Sequence, residues 1–338
     1  MKPLPPQAFD RNLADASELS ARDNAPMIRT QMNRRDWLIL GILAVIWGGA
    51  FIFIGIAVKQ VQPLTYVWLR LSIAAAAMWA YLFFKGHKLG LPKQVWGSIL
   101  LLAALNNALP FALFGWGQTH IASGLASILN ATTPIWGVLV AHFLTHDERM
   151  TPRKIAGVLL GVGGVVTMIG PSLLANIGTG ALAQLACVTA SLSYALAAVW
   201  ARRFRTLGVS PMSVTTGQLT AGAAIMLPIA FVVDQPWTHP LPSLGAWGAI
   251  ITLALLCTAF GYVLYFKLIE TSGATNALLV TLLVPPIAIV MAAVFLHEVL
   301  APQDFIGLGL IALGLAAIDG RLLTALRSLR APKPQPAA

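Results

Sequence analysis

Residues 95–146, VWGSILLLAALNNALPFALFGWGQTHIASGLASILNATTPIWGVLVAHFLTH, recur in altered form at residues 246–297, AWGAIITLALLCTAFGYVLYFKLIETSGATNALLVTLLVPPIAIVMAAVFLH. At a constant offset of 151, Trp96 meets Trp247, Gly97 meets Gly248, Pro134 meets Pro285 and His146 meets His297. Further on, at an offset of 150, Pro152 pairs with Pro302, Gly157 with Gly307, Gly164 with Gly314 and Gly170 with Gly320. Each copy is a string of apolar runs near the ~20 residues that cross ~30 Å of hydrocarbon. The chain therefore reads as two units of one design.

Composition fixes the solvent of those units. Of 338 residues, 57% are hydrophobic and 10% charged, against about 25% charged in an average soluble protein. So few charges cannot cover a water-facing surface of this size, and the expected fold is an all-α polytopic membrane protein. Apolar runs broken at Pro, Gly and charge place ten spans at 37–58, 64–84, 94–116, 121–144, 153–170, 179–201, 211–233, 245–267, 273–296 and 303–320. Residues 36–170 form the first five-helix repeat and 179–320 the second. Residues 1–35 and 323–338 are polar and without apolar period, which predicts disordered cytoplasmic tails. No signal peptide is visible, and Met27 and Met32 stand beside Met1 as candidate starts. Cys187 and Cys257 fall in apolar runs with no His at ligand spacing, so neither a metal nor a cofactor is expected.

Lys and Arg orient the spans, because short cytoplasmic loops retain them. With both ends inside, the inner segments hold 20 and the outer loops hold one, Lys59; the remaining one, Arg70, lies within span 2. Both termini are thus expected in the cytoplasm. The net charge of +10 reflects this bias and points to no nucleic acid. Five spans per unit is an odd number, so the second unit enters the membrane from the opposite side. In inverted-repeat transporters the substrate site lies at the midplane between the repeats.

The stretch WGGAFIFIGIAVKQVQPLTYVWLRLSIAAA resembles the EamA domain of the drug/metabolite transporter superfamily. So do GLASILNATTPIWGVLVAHFLTHDERMTPRKIAGVLLGVGGVVTMIG and its copy GATNALLVTLLVPPIAIVMAAVFLHEVLAPQDFIGLGLIALGLAAIDG. Within that superfamily, the ten-helix bacterial exporters of aromatic and other neutral amino acids are the nearest in overall pattern. The resemblance implies a plasma (bacterial inner) membrane protein with spans 1–4 and 6–9 around a central cavity and spans 5 and 10 as supports. It also implies export as the direction.

Polar residues inside the spans mark the candidate site. Ala126, Asn130, Thr133, Pro134 and Gly137 share one face of span 4, matched in span 9 by Ala277, Thr281, Val284, Pro285 and Ala288. Span 3 aligns Asn107, Pro110, Phe111 and Phe114, and span 8 aligns Thr258, Gly261, Tyr262 and Tyr265. Polar groups in the bilayer face protein or a water-filled cavity, so each face either lines a cavity or joins helices by hydrogen bonds. Trp47 and Tyr194 extend an aromatic lining, and Pro134 and Pro285 are candidate hinges. Arg70 either reaches the outer headgroups or faces the cavity, where it could take a substrate carboxylate. All twelve acidic residues lie in tails, loops or span ends. A proton-driven carrier of cations normally needs an embedded carboxylate, so neutral or zwitterionic cargo is expected. Glycines at positions 157, 161, 164, 307, 309 and 314 predict close packing of spans 5 and 10, against spans 4 and 9 or across a weak homodimer.

The expected function is a secondary transporter exporting amino acids, its partners a small-molecule substrate and membrane lipids. An exporter of drugs or other metabolites is the alternative within the same fold, and a non-transporting scaffold or receptor the alternative outside it. HExxH, GxSxG and Walker patterns are missing from the sequence, and no enzyme is expected.

Overall fold

The first helix begins with a reciprocal cap. Asn33 Oδ1 accepts from the Asp36 amide at 2.8 Å, and Asp36 Oδ2 accepts from the Asn33 amide at 3.1 Å, so two donors of the first turn find acceptors inside one motif. The computed structural model describes residues 32–145, 150–175, 178–277 and 279–319. The greater part of both expected tails lies outside these residues, although α1 (Arg34–Ala57) starts two residues within the tail expected to end at 35. There follow α2 (Pro63–Phe84), α3 (Lys93–Gly117), α4a (Ser123–Asn130) and α4b (Thr133–Leu144), α5 (Pro152–Ala175) and α6 (Thr179–Thr206). The second unit continues with α7 (Pro211–Val233), α8 (Leu244–Ser272), α9a (Ala274–Ala277), α9b (Val280–Leu296) and α10 (Pro302–Asp319). Proline opens α2, α5, α7 and α10, where its missing N–H costs nothing and its fixed φ suits the first turn. Eight of these helices are long and apolar enough to cross a membrane, and two shorter apolar helices lie at Leu283–Leu296 and Pro302–Ile318.

Neighbours close into a ring. α1 packs on α8 and α9b, α8 on α2, α2 on α7, α7 on α3, α3 on α6, α6 on α4, and α4 on α9b. Outside it α5 and α10 pack on each other, and both touch α4. The glycines explain the last pairing and correct the expectation drawn from their spacing. A Cβ added at Gly157 would lie 2.6 Å from the Gly314 carbonyl oxygen, and one at Gly164 2.7 Å from that of Gly307. These glycines let α5 and α10 approach backbone to backbone; only Gly161, against Ile135, serves the contact with α4b. Ascending numbers in α5 meet descending numbers in α10, so the two run antiparallel.

Of three buried clusters among the described residues, one joins α3, α6 and α7 around Ile99 and Phe204, and the other two meet at the centre. One of these two gathers side chains of α1, α4, α9b and α10, including Leu40, Ile128, Ile135 and Val284; the other gathers α1, α2, α3, α7 and α8 around Tyr66, Leu71, Leu219 and Ile250. Trp47, Tyr194 and Leu264 pack against both. Cys187 and Cys257 are buried free thiols, in keeping with a packing role.

Candidate functional site

The middle of α3 departs from α-helical geometry. Residues Ala104–Ala108 form a π-helical segment, and the Leu109 amide bonds the Ala104 carbonyl, five residues back. Leu105 then loses its donors: the Leu109 amide is engaged, and Pro110 has no N–H to give. Ser193 of α6 fills the vacancy, its hydroxyl donating to the Leu105 carbonyl at 2.7 Å. The α8 segment Leu253–Phe260 is also π-helical, and the shift of 151 carries residues 104–108 onto 255–259, inside it. Here the Gly261 amide bonds the Leu256 carbonyl, and Trp47 donates its indole N–H to Cys257 at 3.2 Å. Gly261 is required for this approach, because a Cβ there would sit 2.7 Å from Trp47 Nε1. π segments of this kind are frequent at functional sites.

The two segments carry the polar centre of the molecule. From the α8 segment, Thr258 donates to the Leu253 carbonyl at 2.7 Å and accepts from Arg70 Nε at 2.9 Å. The Arg70 guanidinium lies over the Phe111 ring, Cζ 3.8 Å from its centroid, and Arg70 is only 6% exposed. Tyr66, one turn earlier on α2, donates to the Phe111 carbonyl at 3.2 Å. From the α3 segment, Asn106 Nδ2 donates to Gln218 Oε1 at 3.1 Å and to the Tyr262 hydroxyl at 3.2 Å. Asn107 is fully buried and reaches toward the Tyr262 hydroxyl, but neither its Oδ1 nor its Nδ2 makes a well-formed hydrogen bond among the described residues. Aromatic rings close the space: Trp47 lies 5.3 Å from Tyr265, Phe51 5.7 Å from Phe114, and Tyr194 stacks on Phe114 at 6.2 Å.

Of the residues marked from sequence, Arg70, Asn107, Phe111, Tyr194, Tyr262, Tyr265 and Trp47 fall in or against this cluster. Arg70 turns inward onto Thr258 and does not reach the outer headgroups. Asn130 and Thr133 stand apart in α4, half-buried, with the Thr133 hydroxyl donating to the Asn130 carbonyl at 2.7 Å. Among the described residues no hydrogen bond or ring contact joins these two to the Arg70 cluster. The single face read across span 4 is interrupted, because the helix stops at Asn130 and restarts at Thr133. Pro134 lies at the restart, whereas Pro285 sits inside the continuous α9b. Thr281 is half-buried in the first turn of α9b. Thr258, aligned on the face of span 8, joins the cluster, and Tyr66, Asn106 and Gln218 complete it without having been marked as site residues. The doublet Asn106–Asn107 in an apolar run, and the alignment of Arg70 with Gln218 at an offset of 148, were the signals available.

A ring of apolar helices around a polar, aromatic centre built by both units defines a polytopic helical membrane protein. The profile of the EamA-like transporter family matches residues 35–170 and again residues 181–318, and the chain belongs to that family. It is similar to the uncharacterized transporter YoaV of Bacillus subtilis, 27% identical over 82% of this chain and 95% of that one. A probable terminal-alkyne amino-acid exporter of Streptantibioticus cattleyicolor is 27% identical over 89% of this chain and 99% of its own length. The uncharacterized inner membrane transporter YedA of Escherichia coli K12 is 26% identical over 88% and 94%. A protein solved by crystallography shares the fold at a TM-score of 0.59 and 20% identity, covering 85% of this chain and 97% of its own.

Proposed function

We propose that this transporter exports a small neutral or zwitterionic metabolite, amino acids first among them, across the bacterial inner membrane by alternating access. The observation that carries the reading is the cluster of Arg70, Asn106, Asn107, Gln218, Thr258 and Tyr262, of which Asn106, Asn107 and Thr258 sit on matching π segments of the two copies. In a bilayer so many polar groups on facing helices serve a hydrated path or a bound solute. Relatives named as inner membrane transporter and as amino-acid exporter favour this location and cargo.

Ten spans, two inverted repeats at 36–170 and 179–320, and two cytoplasmic ends belong to the same proposal. The double family match and the antiparallel seam of α5 and α10 support the inversion. The two units rock about the turn in α4 before Pro134 and, to a smaller extent, about Pro285 of α9b, and Asn130, Thr133 and Thr281 line the path on that side. With α5 and α10 sealing each other's glycines, the monomer is the functional unit. Uptake of radiolabelled amino acids into proteoliposomes, with and without a pH gradient, tests the reading. Saturable flux is expected, and flux indifferent to the gradient would identify facilitated diffusion.

A further inference from the structure

Arg70 is a permanent cation whose described surroundings hold no counter-charge. Its neighbours are Thr258, Tyr66, Phe111, Tyr194, Tyr262 and Cys257, all neutral groups. No ion pair to it occurs among the described residues, and every acidic residue of the chain lies in a tail, a loop or a helix end. A guanidinium has five N–H donors. Against them stand two neutral oxygens: Thr258 Oγ1, which takes Nε at 2.9 Å, and the Tyr66 hydroxyl, itself already donating to Phe111. The Phe111 ring beneath Cζ attracts the cation without neutralising it. In the same cluster, on its Tyr262 side, Asn107 is fully buried and neither amide atom makes a well-formed hydrogen bond among the described residues. An uncompensated charge and an unpaired amide in one buried cluster are both costly, and one ligand relieves both.

We propose that the substrate brings the missing charge: a single carboxylate held two-pronged by the terminal nitrogens of Arg70, with Asn107 bonding the polar group on the adjacent carbon. This rests on the transporter reading above and redraws its substrate class around the carboxylate, zwitterionic amino acids first and singly charged acids with them. Planar guanidinium and planar carboxylate match in donor and acceptor spacing. The amide of Asn107 offers both a donor and an acceptor, so α-amino, α-hydroxy and α-oxo acids all fit. The rings of Trp47, Tyr265, Phe114 and Tyr194 supply an apolar wall for the side chain. An amine lacking the carboxylate sets cation against cation and is rejected.

The test uses the full chain in detergent and three matched probes: phenylalanine, 3-phenylpropanoate and phenethylamine. Binding is read as saturable quenching of tryptophan fluorescence and as a rise in unfolding temperature. Phenylalanine and 3-phenylpropanoate are expected to bind and phenethylamine to fail, and Arg70→Gln to weaken both carboxylates at least tenfold while Arg70→Lys keeps part of the affinity. Phenethylamine binding as well as phenylalanine, no carboxylate binding at all, or a monodisperse Arg70→Gln protein with unchanged affinity would each overturn the assignment. Should Arg70→Gln fail to fold, the comparison of probes on the unaltered chain decides. Carboxylates that bind but show no flux in liposomes would remove the transport reading and leave the subsite standing. Flux of the amine, unchanged in Arg70→Gln, would do the reverse.

Discussion

The α3/α8 pair and the α4/α9 pair solve one problem in different ways. Both open a helix at mid-depth. In α3 and α8 the opening is a π segment at matching positions, and the carbonyls it releases are taken by Ser193 and Trp47 from other helices. In α4 a two-residue turn at Ala131 and Thr132 interrupts the helix, the Asn130 carbonyl taken by Thr133 and the Leu129 carbonyl by Thr132 and by Ser191 of α6, whereas α9b runs unbroken through Pro285 and Pro286. A π segment keeps its helix continuous and ties the freed groups to neighbours, which suits a rigid floor for a ligand. The α4 turn interrupts the helix between its two parts while Ser191 of α6 holds the Leu129 carbonyl at 3.0 Å, so it differs from the π segments in continuity and not in having a tie to a neighbour. In the proposed transport cycle the α3/α8 pair would hold the solute and the α4 turn would move.

The largest test of the comparison is topological, because its matched halves must point opposite ways. Gln94→Cys and Leu241→Cys place exposed thiols just before the two copies. A membrane-impermeant maleimide applied to intact cells is expected to label position 241 and not 94, while the native thiols, both buried, stay silent. Labelling of both from one side would abolish the inversion. Next in size, Pro110→Ala returns an N–H that can bond the Asn106 carbonyl four residues back, drawing α3 toward regular geometry. Initial uptake should fall by about tenfold or more while the unfolding temperature holds or rises, a split that mere damage to the fold would not produce.

A smaller contrast separates the prolines. Pro134→Ala supplies a donor for the Asn130 carbonyl and bridges the α4 break, so uptake should slow several-fold. Pro285→Ala lies in a helix already continuous and should change uptake by less than about twofold. Equal losses in the two variants would show that the break is no hinge. The smallest effect belongs to Ser193→Ala, which strands the Leu105 carbonyl. A loss of roughly 1 kcal/mol is expected for one such interhelical bond in a membrane protein, visible as a modest fall in unfolding temperature.

Much of this could be read before any coordinates, and the reason is the solvent. Hydrocarbon tolerates only long apolar helices, so the runs, their lengths and the Lys/Arg bias between them are written directly in residue type. Polar residues stand out against that background, which is why Arg70, Asn107 and Tyr262 were marked. Their partners were another matter. Arg70 meets Thr258 across 188 residues, and Asn106 meets Gln218 across 112; no local period carries such pairings.

By itself, the sequence determined a duplicated, membrane-spanning helical chain with polar faces in both copies, because burial in lipid constrains each residue singly. Tertiary structure alone decided that α5 pairs with α10 through backbone contacts at glycine, that α3 and α8 widen into π segments, and that α9 runs straight through its prolines. These outcomes depend on which distant group accepts or donates the bond a helix gives up. That choice is made only when the ring closes.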